Sequence, residues 1–318
     1  MNETICLTTL VENSVHLRGL RAEHGLAFHI QAGDRSLLFD TGQSDLLLAN
    51  AAALGVDLAQ VEAIVLSHGH YDHTGGLAAV RRVAPQARIF LHPAAVEPKF
   101  SANADSPARP VGMLATATQA VSAADAAVTW TREPTEVLPG VFVTGEVPRT
   151  TAFEDTGGHF FLDAAGTGAD PLVDDQALFF DTADGVVVIL GCAHAGVVNT
   201  LRHIRRLLGN RRIHTVCGGL HLLTASPARM DATVAALREL DGARFVPAHC
   251  TGFAATARLW AEFPGRGAVG GVGTRLLFPA KPKRGRFSLS TQVLARPASD
   301  ASRDSFQRPA AAQGLQRR

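Results

Sequence analysis

Ser67-His68-Gly69-His70-Tyr71-Asp72-His73-Thr74-Gly75-Gly76 gathers three imidazoles and a carboxylate into a short span. The stretch follows an apolar run, Ala63-Ile64-Val65-Leu66, of strand length, and precedes a helical pattern, Leu77-Ala78-Ala79-Val80. That order places His68, His70, Asp72 and His73 on a loop at the carboxyl end of a strand, where α/β proteins bind their ligands. Imidazoles and a carboxylate crowded there need something to satisfy and neutralise them, and a metal ion does both. His68 and His70, two apart on extended chain, project to one side and suit one ion. Asp72 and His73, beyond the turn, suit a second. Two ions roughly 3.5–4 Å apart and sharing a water are the arrangement of two-metal hydrolytic sites. The donor types favour Zn2+, as one ion or two, and iron or manganese would accept the same set.

Outward from this loop, strands and helices alternate. Ile5–Val11, Leu26–Ile30, Ser36–Phe39 and Arg88–Leu91 read as strands, and Ser44 caps a helix through Ala53 that stops at Gly55. Ala177–Asp181 and Val186–Leu190 form a hairpin through Ala183-Asp184-Gly185. A helix runs from His194 to Leu208, and another from Ser226-Pro227 to Leu240. Two stretches, 97–135 and 146–176, read as long irregular covers. Residues 1–280 are expected to form one domain, and 281–318 a disordered tail whose basic cluster is solvated. Gly265, Gly267 and Gly270 fit a GxGxxG spacing, but they follow a helix and precede a strand, the reverse of a dinucleotide site.

With 318 residues and 46% hydrophobic content, the chain can bury a sizeable core. A net charge of +1 gives no case for nucleic acid or an anionic membrane as partner. Four scattered cysteines make no disulfide framework, the amino terminus lacks a secretion signal, and no apolar run reaches membrane-spanning length. A cytoplasmic enzyme acting on a small molecule is the expectation; the sequence does not set its oligomeric state.

The pattern His68-x-His70-x-Asp72-His73 with Gly75-Gly76 resembles the signature of the metallo-β-lactamase superfamily. Further stretches, Ala22-Glu23-His24-Gly25-Leu26, Gly191-Cys192-Ala193-His194, Gly218-Gly219-Leu220-His221 and His249-Cys250-Thr251-Gly252, resemble its branch of dihydropterin–ribofuranosyl-aminobenzene-phosphate synthase-like metal-dependent hydrolases. The resemblance implies a four-layered αβ/βα sandwich with metals at one edge between two sheets. It also implies that Asp40 supports the metal loop and that His249 is the last metal ligand.

The other candidates follow from strand-end placement and from one departure. His194 follows a strand and completes the first ion's ligands. His221 is a ligand, a supporting residue or a substrate contact; His24 is a site residue or a structural one. Where the superfamily commonly has Gly-Asp with a bridging carboxylate, this chain has Gly191-Cys192, so Cys192 is either a thiolate ligand or a small buried hydrophobe. Cys250 reads as core, and Asp175 either supports the site or caps a turn. Asp72 would ligate an ion, orient a water and pass on a proton in a metallohydrolase. The resemblance also implies an alternative, a transferase joining a pterin-methyl diphosphate to an aromatic amine, for which Arg149 could contact phosphate and Phe153, Phe160 and Phe161 could stack or simply pack a lid; a third reading is a non-catalytic metal- or redox-responsive protein.

Overall fold

The computed structural model describes residues 4–102 and 107–281. Two sheets face each other. The first orders its strands Arg275–Pro279, Thr4–Val11, Ala27–Ala32, Arg35–Phe39, Ala63–Val65, Arg88–Leu91 and Val128–Trp130. Pairing is antiparallel as far as Arg35–Phe39 and parallel beyond it. The second runs Arg244–Ala248, Ile213–Gly219, Gly185–Leu190, Leu178–Thr182, Val141–Val143 and Thr135–Leu138, with the first three strands parallel.

Strand alternation builds the layers. Leu37 and Phe39 face Phe180, Val187 and Ile189 across the inter-sheet core. Leu38 and Ile64 point the other way, onto helices carrying Leu47, Leu77, Val80 and Val121. On the far side, Val186 and Val188 pack under helices Val197–Leu207, Pro227–Arg238 and Phe253–Glu262 through Leu201, Ile204, Val234 and Leu259. The result is the expected αβ/βα sandwich.

Several elements differ from expectation. The stretch 97–135 is not irregular: it holds a helix, Ala115–Ala124, and strands at Phe100–Ala102, Arg109–Pro110 and Val128–Trp130. Its alanine-rich composition hides the helix, because Ala117, Val121 and Ala124 bury a face too small to read as an apolar stripe. Within 146–176 only His159–Phe161 is a strand, and it joins Phe100–Ala102 and Arg109–Pro110 in a small third sheet. Strands Thr135–Leu138 and Val141–Val143 lie in sequence assigned to no element. The helix expected from His194 begins at Val197, because Ala193 and Gly196 adopt positive φ (57° and 99°) and turn the chain first. The tail beyond Lys281 lies outside the described residues.

His29 lies on strand Ala27–Ala32 and is buried. Burial, helped by Arg275, pushes its pKa down to about 4. The unfolded chain takes up this proton below about pH 6.5, the folded chain only near 4. Stability from the neutral ring is therefore complete above pH 6.5 and lost as pH falls toward 4, by on the order of 2–3 kcal/mol. In urea titrations at pH 7.5 and 5, H29Q should show a smaller acid-side loss than the parent. Equal losses would mean that His29 is not the group responsible.

Candidate metal centre

One rule of the fold assembles the site. Asp40 follows strand Arg35–Phe39, His68 to His73 follow Ala63–Val65, and Cys192 and His194 follow Gly185–Leu190. His221 follows Ile213–Gly219, and His249 follows Arg244–Ala248. The carboxyl ends of the parallel strands of both sheets thus meet at one edge. Gly75 and Gly76 allow the histidine loop to press onto its neighbour, since a Cβ there would lie 2.1 Å from Gln43 O and 2.3 Å from Thr41 O.

Hydrogen bonds fix which ring nitrogen of each histidine is bare. Asp40, fully buried, accepts from Ser67 N (2.7 Å), Ser67 Oγ (2.7 Å) and His73 Nδ1 (2.7 Å). Ser67 Oγ, its proton committed to Asp40, accepts from His68 Nδ1 at 2.9 Å. His194 Nδ1 donates to Thr156 O at 2.8 Å. Asn13 Oδ1 accepts from Gly25 N, which fixes its amide, and from His249 Nδ1 at 2.8 Å. In their neutral forms His68, His73, His194 and His249 therefore all present a lone pair on Nε2.

Those lone pairs converge. His73 Nε2 and His249 Nε2 are 3.2 Å apart, with Asp72 Oδ2 at 3.9 and 3.4 Å from them. His68 Nε2 faces His70 Nδ1 at 2.9 Å, and the His194 ring lies 4.9 Å from both. The His194 and His70 Nε2 atoms are buried with no hydrogen-bond partner. Cys192 Sγ sits between the two clusters, 3.2 Å from His73 Nε2 and grouped with His68 and His194. Bare nitrogens and a carboxylate aimed at shared points repel one another unless a cation lies among them, so the residues fit a metal.

The electrostatics agree. Burial drives His68 and His194 well below their ordinary value, and His70 down to about 3. At His73 burial is overridden by Asp40 and Asp72, and its pKa rises to about 9. Burial also opposes ionisation of Asp72, but the His73 charge and a hydrogen bond from His24 hold it well below the usual range. The point beside Asp72 demands positive charge, and a proton and a metal ion compete for it.

The remaining candidates take distinct places. His24 Nε2 is 3.1 Å from Asp72 Oδ2, with its own side chain 57% exposed, so it joins the site from the solvent side. Asp175 accepts from Ala195 N at 2.9 Å and supports the turn after His194; burial, against that bond, raises it to about 7. The His221 ring lies 4.2 Å from that of His194. Arg149, a phosphate contact only in the transferase alternative, donates to the carbonyls of His194 (2.7 Å) and Pro171 (2.8 Å) and braces the turn. Of the three aromatics, Phe160 reaches the site, its ring 5.1 Å from those of both His70 and His194, whereas Phe153 packs on the core.

Several participants went unread. Glu12 accepts from His249 N at 2.7 Å and Asn13 fixes the His249 ring; both follow strand Thr4–Val11, so the strand-end rule would have found them. Buried Lys99 pairs with Asp170 (3.0 Å) and Asp174 (2.9 Å), and Asp174 accepts from Gly69 N at 2.8 Å. These lie in stretches without periodicity, and nothing local marks them. Cys250, read as core, lies in a donor group with Cys192 and His221.

A sequence model described as the metallo-beta-lactamase superfamily matches residues 20–249. The chain belongs to the metallo-β-lactamase superfamily. It is 29% identical over 257 residues to the 7,8-dihydropterin-6-methyl-4-(beta-D-ribofuranosyl)-aminobenzene-5'-phosphate synthase of Methanocaldococcus jannaschii, covering 76% of this chain and 85% of that protein. An uncharacterised protein of the same organism is also 29% identical, over 79% of this chain and 92% of its own length. Among solved structures, Tm1679, a metal-dependent hydrolase of the beta-lactamase superfamily, superposes with a TM-score of 0.71 at 32% identity, covering 86% of this chain and 98% of that one. Zn2+-bound PqqB from Methylobacterium extorquens shares the fold at a TM-score of 0.50 and 15% identity, over 85% and 99% of the two chains. Membership of this superfamily implies a divalent metal, in keeping with the donor groups above. No helix among the described residues is long and apolar enough to cross a membrane.

Proposed function

We propose that this chain is a zinc-dependent hydrolase of a small ester-, amide- or phosphoester-type substrate. The observation that carries the reading is the convergence of His68 and His194 on Cys192, and of the His73 and His249 Nε2 atoms on Cys192 and Asp72. His68, His70 and His194 would hold one ion, and Asp72, His73 and His249 a second, with Cys192 between them. A bound ion supplies Lewis acidity and acidifies water toward neutral pH.

The chain's own residues do the rest. Asp40 and Asn13 hold His73 and His249 in the required tautomers. Asn13 Nδ2 lies 3.4 Å from His24 Nδ1, which leaves the His24 Nε2 proton for Asp72. Asp72 would orient the attacking water, and exposed His24, with its Nε2 proton on Asp72, holds that carboxylate in place. Phe160 covers the buried side, where His70 and His194 meet it edge and face.

A second reading, condensation of a pterin-methyl diphosphate with an aromatic amine, draws on the Methanocaldococcus relative and on Phe160 as a stacking surface. The Arg149 guanidinium, bonded to two carbonyls, weighs against it. Metal content of chelator-free protein, measured beside turnover on phosphodiester, lactone and thioester panels, tests the choice. Two ions with hydrolysis support the hydrolase. Diphosphate release from a pterin-methyl diphosphate and amine, with no hydrolysis, would transfer the assignment to the synthase class.

A further inference from the structure

Three neighbouring parallel strands each deliver one donor to the inner end of the site. Cys192 follows Gly185–Leu190, His221 follows Ile213–Gly219, and Cys250 follows Arg244–Ala248. Their donor atoms all lie within 4.8 Å of one another. None of the nitrogen and carboxylate positions assigned above uses His221 or Cys250.

The surroundings of Cys250 are unlike those of a packing cysteine. Cys217, on the same sheet, points into the inter-sheet core among Ile189, Val187 and Val246. The Cys250 thiol instead donates to Cys192 O at 3.6 Å, and its sulfur lies over Gly219, where a Cβ would come within 2.6 Å of it. A side chain at 219 would fill the place the sulfur occupies. His221 Nδ1 is buried and has no hydrogen-bond partner. A Cβ on Gly157 would fall 1.8 Å from the His221 ring, so the cover loop is cut back to seat that imidazole. Ala193, His221 and His249, each within one residue of a donor or a donor itself, hold positive φ of 57°, 48° and 50°. Such backbone is costly for residues other than glycine and persists where the surroundings enforce it.

We propose that Cys192, His221 and Cys250 form a sulfur-rich metal position of their own, selective for a thiophilic closed-shell ion such as Zn2+, Cd2+ or Cu+. Two thiolates and an imidazole discriminate against Mg2+ and Mn2+, which prefer oxygen. Because Cys192 also faces His73, this position shares a ligand with the nitrogen-rich pair. The inference rests on the metal-binding reading of the site and extends it to residues that reading leaves idle.

Cadmium titration of the full-length apo-protein under anaerobic conditions tests it. The readouts are bound Cd2+ per chain and the ultraviolet thiolate-to-cadmium charge-transfer band, whose intensity follows the number of coordinating sulfurs. The parent should show a two-thiolate band. C250S should bind one ion fewer and lose about half the band, and H221N should keep the band with weaker affinity. A C250S titration superimposable on the parent, with cadmium still bound, would overturn this position while leaving the nitrogen-rich pair standing. Should C250S fold poorly, the 113Cd resonances of the parent decide, since shifts reporting at most one sulfur per ion overturn it as well. A parent that binds no cadmium at all removes both readings.

Discussion

H70A will lose one metal ion per chain and essentially all turnover, while the metal-free protein unfolds at nearly the parental denaturant concentration. The separation of the two effects follows from the surroundings of the ring. His70 is 6% exposed and lies among His68, His194 and Phe160, yet its Nε2 makes no hydrogen bond. Removing it leaves no orphaned partner at Nε2 and relieves crowding among three imidazoles that burial already keeps neutral. The remaining cost is the vacated volume and the lost contact of His70 Nδ1 with His68 Nε2, together about 1–2 kcal/mol for a site that can take in water. What disappears is the stabilisation by metal, which for the parent reaches about 4 kcal/mol at a free metal concentration 1,000 times the dissociation constant. Denaturation with and without zinc, beside metal analysis, measures both quantities. Full metal content and full activity in H70A would end the metalloenzyme reading.

K99M will destabilise the protein far more, by about 3–5 kcal/mol, although Lys99 touches no metal ligand. Its ammonium lies between Asp170 and Asp174, and all three side chains are at most 3% exposed. Methionine replaces the stem well but strands two carboxylates in the interior. Asp174 also accepts from Gly69 N, between the first two histidines, so the damage should spread to metal affinity. Adding D170N to K99M should recover a large part of the stability, because only one carboxylate then stays unpaired. A K99M variant within about 1 kcal/mol of the parent would show that solvent reaches this triad and that the buried pairing has been misread.

These two residues also show what the sequence makes legible. His70 declares itself because donors crowd a strand end, and strand ends follow from period-two apolar runs such as Leu37-Leu38-Phe39 and Ala63-Ile64-Val65. The same logic brings in His194, His221 and His249, and it would have brought in Glu12 and Asn13 had it been applied to the first strand. Lys99, Asp170 and Asp174 obey no such rule. Their partners are distant along the chain, and a lysine between aspartates in a long cover reads as solvated surface until tertiary structure closes over it. Cys192 and Cys250 illustrate another limit. A cysteine is either packing or ligand according to its neighbours, and those neighbours arrive from other strands. Arg149 stays open in the sequence for a related reason: a guanidinium satisfies carbonyls as readily as phosphates, and composition cannot say which it will meet.

The facing of His73 and His249 across the two sheets has a consequence in polymer terms. Their positions are 176 residues apart in the chain, and their bare nitrogens 3.2 Å apart in space. Bringing two points so separated together in a flexible chain costs about 5 kcal/mol of conformational entropy. The fold has met that cost before any ion arrives. An unfolded chain must meet it at the moment of binding, which lowers its affinity for the same ligand pair by roughly three to four orders of magnitude. An ion held by both rings would therefore lose its His249 contact as the two sheets separate, whatever the local cluster from His68 to His73 retains.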